Sequence, residues 1–498
     1  MNYKSTRDKG IGITSAQAIT QGLSAEGGLF VPEALPKITE SDILSLCKKS
    51  YAERAFDIFK LFLTDFTDEE IRDCLTKAYG DNFDTENIAD ISHLLTGTYI
   101  LELWHGPTCA FKDMALQILP HLLTVSAKKT VPDKKIAILV ATSGDTGKAA
   151  LEGFKNVEGT TISVFYPEEG VSDMQKRQMA TQEGDNVFVC AVKGNFDDCQ
   201  NGVKAIFTDK EMARELEQNG IMLSSANSIN WGRLCPQIVY YISAYAELVK
   251  NEEIKYGEKI NIVVPTGNFG NILAAYYAKE MGLPVNKLIC ASNANNVLTD
   301  FINTGVYDKN REFYTTVSPS MDILISSNLE RLLYHLSGEN TELINKWFGL
   351  LKEQGKYEVS SDVKEKISQL FYAGCCNDDE TKQAIKDCFD SYSYLIDTHT
   401  AVAYKVYNDY KRETGDETKT VIASTANPYK FGAAVYGAVG GDCTGLDEFT
   451  VIERLEEKTG TVIPQPLAAT KNKEVRFKGV INRENMPGAV TDFLKNQK

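Results

Sequence analysis

Five short stretches of this chain bring together residue types that could do chemistry. In LELWHGPTCAFKDMALQILPHLL an apolar run ends, a Gly-Pro turn follows, and Lys112 arrives beside Phe111 at the start of a helical pattern. A Schiff base needs an amine that can lose its proton, and apolar neighbours or a helix N-terminus both disfavour the ammonium form. Taken alone, a lysine before Asp113 is more often a surface residue, so context has to decide. In VATSGDTGKAAL a strand pattern runs through Ser143, Gly144, Asp145, Thr146 and Gly147 into a helix, where backbone N–H groups can converge on an anion. A Walker A loop is excluded, because position 142 is Thr and the residue after Lys148 is Ala149. In VVPTGNFGNILAAYYAK, Gly267, Asn268, Phe269, Gly270 and Asn271 form a second strand-to-helix loop, with two glycines that let backbone approach a phosphate. The G-x-G-x-x-G spacing of a dinucleotide loop is absent, which makes NAD the weaker reading. SSANSINWGR clusters Asn227, Ser228, Asn230 and Arg233, and arginine offers a planar fork for phosphate or carboxylate. ASTANPYKFG ends a late strand at Ser424 and Thr425. Each loop by itself is also compatible with an ordinary capped turn.

These loops need a scaffold, and the sequence supplies one. KIAILVAT, TISVFYP, NVFVCAV, IMLSS, INIVVPT and KLICAS are short β-rich runs, most followed by a turn and an amphipathic segment such as DTGKAALEGFKN or NILAAYYAKEMG. That alternation predicts a doubly wound α/β fold with mostly parallel sheets, whose ligands sit in the loops at the carboxyl ends of the strands. The expected organisation is an N-terminal subdomain over residues 1–95, an α/β domain over 96–250 carrying Lys112 and the SGDTG loop, and a second α/β domain over 251–498 with a helical insertion at about 328–412. VIASTANPYKFGAAVYG predicts one more strand, loop and helix returning to the sheet.

Composition narrows the partners. The 498 residues are 43% hydrophobic, enough for more than one core, and 68 acidic against 53 basic residues give a net charge of -15. No basic patch offsets that charge, so nucleic acid is not an expected partner. The N-terminus has no apolar leader core and carries Asp8, and no apolar run is long enough for a bilayer, so the expectation is a cytoplasmic chain without membrane contact. Eleven cysteines without CxxC pairs point to neither a disulfide framework nor a metal site. Cys109 has no evident His partner and reads as packing, and His105 and His399 read as structural.

In their order and identity, HGPTCAFKD, TSGDTG, ANSINWGR, PTGNFGN and STANPYKF, together with the N-terminal GLSAEGGLFVPEALP, resemble the threonine synthase family over nearly the whole chain. The resemblance implies a fold-type II enzyme of the tryptophan-synthase-β-like architecture that uses pyridoxal 5′-phosphate (PLP), with Lys112 as the Schiff-base lysine. It also implies that Gly267 to Asn271 hold the cofactor phosphate and that Thr425 faces the pyridine nitrogen. Ser143 to Gly147 would receive the substrate carboxylate, and Ser228 and Arg233, with Asn227 and Asn268, its phosphate. The implied reaction converts O-phospho-L-homoserine and water to L-threonine and phosphate. Two rivals stay open at this level: another PLP lyase of the same fold, such as a phospho-lyase or a serine or threonine dehydratase, and a nucleotide-binding α/β protein without PLP. Both monomer and homodimer are compatible with the sequence, and the role of Asp145 is open.

Overall fold

The computed structural model describes residues 1–169 and 171–497. All six predicted strand segments form, and they sort into two sheets. In the larger, six-stranded sheet the order is Phe371–Cys375, Val285–Ser292, Ile260–Pro265, Thr420–Ser424, Thr98–Glu102 and Asp90–Leu95. All of its pairings are parallel except the last, which is antiparallel. The second sheet has five parallel strands in the order Val480–Ile481, Val187–Val192, Thr160–Pro167, Lys135–Ala141 and Ile221–Ser224. Central strands such as Thr160–Pro167 and Ile260–Pro265 are buried along their whole length, which is why they read as continuous apolar runs rather than alternating ones.

Register follows from this burial. Leu288, Ile262, Val421 and Tyr99 align across four strands of the large sheet, so a one-residue slip would turn each to the opposite face. Each sheet gathers strands from both sides of position 250: Thr98–Glu102 pairs into the large sheet, and Val480–Ile481 closes the edge of the small one. The stretch 328–412 is mostly helical as expected, but Phe371–Cys375 inside it is a strand on the edge of the large sheet, and Lys356–Glu358 pairs with Val306–Asp308. Both strands are too short, at five and three residues, for their periodicity to stand out among helices.

One helix ties the molecule together. Trp231–Lys250 is buried along nearly its full length and packs on Gly270–Met281, Tyr51–Phe62 and Asp113–Leu116. Asn230 caps it by accepting from the Gly232 N–H at 2.9 Å. The N-terminal helices Glu40–Leu46, Tyr51–Phe62 and Asp68–Ala78 each begin with a reciprocal capping box. From the second of them, buried Arg54 reaches the long helix, with Nη2 at 2.6 Å from Glu247 and Nη1 donating to Ser243 Oγ at 2.9 Å. Among the described residues no helix is long and apolar enough to cross a membrane.

Candidate active site

Lys112 lies at the N-terminal end of the short helix Asp113–Leu116, beyond the carboxyl end of Thr98–Glu102. The HGPTCAFKD motif builds this position from both sides. Asp113 accepts from the Thr108 N–H at 2.8 Å and the Thr108 hydroxyl at 2.7 Å, closing the turn ahead of the lysine. The STANPYK loop then zips onto the motif: Phe111 N–H donates to Thr425 O at 2.8 Å, Asn427 N–H to Cys109 O at 3.0 Å, and Ala110 bridges Ala426. Thr425 is thereby fixed beside Lys112. Cys109 takes a left-handed φ of 58° to make this corner, and burial pushes its thiol pKa up, so it stays an uncharged packing residue.

The Lys112 side chain is buried, its amine 4.8 Å from the Phe111 ring centroid, 3.4 Å from Ser320 Oγ and 3.9 Å from Asp145 Oδ2. Burial lowers its pKa to about 8; Asp145 opposes the shift, while the Arg233 and Lys430 cations add to it. An amine so placed is still mostly protonated at neutral pH but carries a far larger free fraction than an ordinary lysine, and becomes mostly free above about pH 8.

The SGDTG loop sits beside it and opens the helix Asp145–Phe154. Gly144 has a φ of 139°, and a Cβ there would collide with the Gln175 side chain. Thr142 Oγ1 accepts from the N–H groups of both Gly144 and Gly147 at 2.9 Å. Asp145 faces inward. Its Oδ1 lies 2.8 Å from Lys430 Nζ and accepts from Gln175 Nε2 at 2.9 Å, while its Oδ2 accepts from Ser320 Oγ at 3.3 Å. Burial alone would raise the Asp145 pKa, but Lys430 and Lys112 hold it well below the usual carboxylate range. Asp145 is therefore a fixed anion with its own counterion. Ser143 and Thr146 are half-buried and leave hydroxyls and loop N–H groups for a ligand. Lys148 turns away to Glu152 at 2.7 Å and Gln182 at 2.6 Å.

The loops around Gly267 and Arg233 are rich in donors, and among the described residues no carboxylate pairs with Arg233. Gly267 to Asn271 lead into Gly270–Met281, where Phe269 takes a left-handed φ of 63° and no side chain caps the helix. A Cβ on Gly267 would lie 2.7 Å from Ser320 O, so only glycine fits there. Asn268 is exposed, and its carbonyl is held by Asn328 through backbone N–H and Nδ2, each at 3.1 Å. Asn271 Oδ1 accepts from Tyr240 at 2.7 Å and from Tyr241, leaving its buried Nδ2 without a partner. Arg233 is buried and gives one bond to Ala226 O at 2.6 Å, but its Nε is buried and unpaired. Burial lowers even this guanidinium, to about 10. Asn227 and Ser228 are half-buried on the adjoining turn. A second buried arginine, Arg331, braces that turn by donating to Ile229 O at 2.6 Å and Phe30 O at 2.9 Å.

These residues fit PLP. The site offers a buried amine of lowered pKa, and the uncapped N–H groups of the Gly267–Asn271 loop with the orphaned Nδ2 of Asn271 can meet a cofactor phosphate. Sequence reasoning missed Ser320, and it quoted Lys430 without giving it a role. Neither residue has a local signature; both become visible only once distant loops converge on Asp145.

Comparison with known proteins agrees with this geometry. Residues 2–79 match the family model for the threonine synthase N terminus, 89–344 that for pyridoxal-phosphate dependent enzymes, and 400–489 that for the threonine synthase C-terminal region. Threonine synthase of Saccharomyces cerevisiae is 36% identical, the match covering 100% of this chain and 98% of the yeast protein. Human threonine synthase-like 1 is 42% identical over 85% of this chain, and the match spans 58% of that longer protein. A crystal structure of PLP-bound threonine synthase from Brucella melitensis superimposes with a TM-score of 0.88 at 34% identity, covering 100% of this chain and 99% of that one. With the fold, the three matched regions and the full-length likeness in agreement, the chain belongs to the threonine synthase family of PLP-dependent enzymes.

Proposed function

We propose that this chain converts O-phospho-L-homoserine and water to L-threonine and inorganic phosphate, with Lys112 as the residue that carries PLP. The observation that supports this most directly is the buried Lys112 amine within electrostatic reach of Arg233, whose buried Nε has no partner among the described residues. When bound, the cofactor supplies an aldehyde that takes up an amine and a ring that draws electron density from the substrate Cα. Lys112, once displaced by substrate, is the base that removes a proton from Cα and one from Cβ; phosphate then leaves Cγ, Cγ takes up a proton, water adds its hydroxyl at Cβ, and a proton returns to Cα. Thr425, held to the lysine motif by Phe111 N–H, brings a hydroxyl to the pyridine nitrogen. Gly267, Asn268, Phe269, Gly270 and Asn271 hold the cofactor phosphate.

Arg233 with Asn227, Ser228 and Asn268 holds the substrate phosphate and stabilises it as it departs. Ser143 and Thr146 take the substrate carboxylate through their hydroxyls and N–H groups, on a turn that Gly144 and Gly147 close by donating to Thr142. Asp145 shapes that loop without repelling the substrate, because Lys430 already neutralises it. Eleven free thiols and the acidic charge favour a cytoplasmic setting.

The test is borohydride reduction of the chain after PLP addition, followed by peptide mass spectrometry and product analysis. The expected result is a pyridoxyl adduct on the Lys112 peptide, with threonine and phosphate released in equal amounts from O-phosphohomoserine. An adduct with 2-ketobutyrate as product would keep the cofactor assignment and replace the synthase by a dehydrating lyase. No adduct at Lys112 would overturn the reading.

A further inference from the structure

One residue outside the five motifs touches three of them. Ser320 lies in the single-turn helix Pro319–Met321. Its Oγ is 3.4 Å from Lys112 Nζ and donates to Asp145 Oδ2 at 3.3 Å, and its carbonyl is the atom that forbids a side chain at Gly267. The turn is pinned from behind. Asn293, just past the strand Val285–Ser292, donates to Ser318 Oγ at 3.0 Å and to Asp322 Oδ1 at 2.8 Å. The Ser320 peptide N–H donates to His399 Nε2 at 3.1 Å, and His399 Nδ1 lies 2.8 Å from Asp397, which is fully buried. Accepting at Nε2 requires that His399 carry its proton on Nδ1 and donate it to Asp397. The histidine that the sequence reads as structural thus fixes the backbone of a residue that contacts the lysine.

We propose that Ser320 is a positioning residue for Lys112: with its own proton committed to Asp145, its oxygen accepts an N–H of the lysine and turns the amine lone pair toward the substrate. The inference rests on the reading of Lys112 as the base. A free amine has two N–H groups and one lone pair, so fixing one N–H to Ser320 Oγ leaves the lone pair few directions. The same hydroxyl bridges the amine and Asp145 from one side, and so holds that pair at 3.9 Å rather than in closer contact. The other charges around the amine are Arg233, Lys430 and Asp113.

The test compares wild type, Ser320→Ala and Ser320→Thr in two ways: steady-state turnover of O-phosphohomoserine, and pH-dependent acetylation of the Lys112 peptide in the full chain stripped of PLP. In Ser320→Ala, kcat falls roughly 10- to 100-fold through lost orientation while KM holds within about twofold. The midpoint of Lys112 acetylation moves to higher pH, by on the order of one unit, as Asp145 pairs directly with the ammonium. Ser320→Thr, which keeps the hydroxyl, restores both. If either readout fails to move in Ser320→Ala, Ser320 is packing and the proposal falls. Failure of the underlying reading looks different, since wild type itself would then take no pyridoxyl label at Lys112.

Discussion

The two loops that open helices into this site handle charge in opposite ways. SGDTG carries its anion with it: Asp145 is buried and paired with Lys430 at 2.8 Å, with Lys112 at 3.9 Å. GNFGN and the neighbouring Arg233 carry no anion, and Arg233 Nε and Asn271 Nδ2 are buried without partners. The first side is complete as it folds, and its charges serve to set the protonation of one amine. The second is left in deficit, which fits the phosphate site proposed for it. A helix N-terminus by itself does not distinguish these roles, because both loops have one; the side chains around it do.

The sharpest way to break this comparison is at Lys430. Lys430→Met leaves Asp145 buried beside a single cation at 3.9 Å, and it should cost about 3–5 kcal/mol of stability in denaturant unfolding. Adding Asp145→Asn in the same chain should recover most of the loss, because the uncompensated charge is gone. A cost below about 1 kcal/mol for the single variant would show that the lysine side is not internally balanced.

Arg233 is expected to behave in the reverse sense. Without ligand, Arg233→Met removes a buried cation that has no acidic partner, so the variant should be at least as stable as wild type. With substrate, kcat/KM should fall by on the order of 10²–10³, the effect of losing one donor to a departing anion. Inorganic phosphate should raise the Tm of wild type and not of the variant. A destabilised Arg233→Met with normal kinetics would move Arg233 from the site into the framework.

This division of labour was only partly legible in the sequence. The six strand runs and the loops after them were readable because parallel strands buried on both faces are continuous apolar segments, and because glycines mark the turns. The SGDTG and GNFGN loops were readable for the same local reason, whereas Lys112 stood out only through the family resemblance and Asp145 had no readable role. Lys430 lies 285 residues from Asp145, and Ser320 and His399 lie 79 residues apart. Such pairings are made by the sheet order, which brings Thr420–Ser424 between Ile260–Pro265 and Thr98–Glu102, and no spacing in the sequence announces them. Phe371–Cys375 escaped for a different reason: an edge strand of five residues between two amphipathic helices carries too little pattern.

The smallest expected effect extends the comparison to the outer edge of the lysine side. His105 opens the HGPT turn, with Nδ1 at 2.5 Å from Asp84 and Nε2 at 2.8 Å from Glu102, and stacks on Trp104 at 4.2 Å. Burial would lower its pKa, but the two carboxylates outweigh burial and raise it to about 9. A histidine whose pKa rises on folding stabilises the fold fully below its unfolded value of about 6.5, and the contribution is lost as pH climbs through about 9. Because Asp84 is half-exposed, solvent screening holds the contribution to about 1 kcal/mol. His105→Asn should therefore be less stable than wild type by about that amount at pH 6, and the two unfolding curves should converge above about pH 9. Arg233→Met should show no such window between pH 6 and 9, since its guanidinium, lowered only to about 10, stays mostly charged there. A constant gap between His105→Asn and wild type from pH 6 to 10 would mean that His105 acts by packing on Trp104, and that the paired charges of the lysine side end at Lys430.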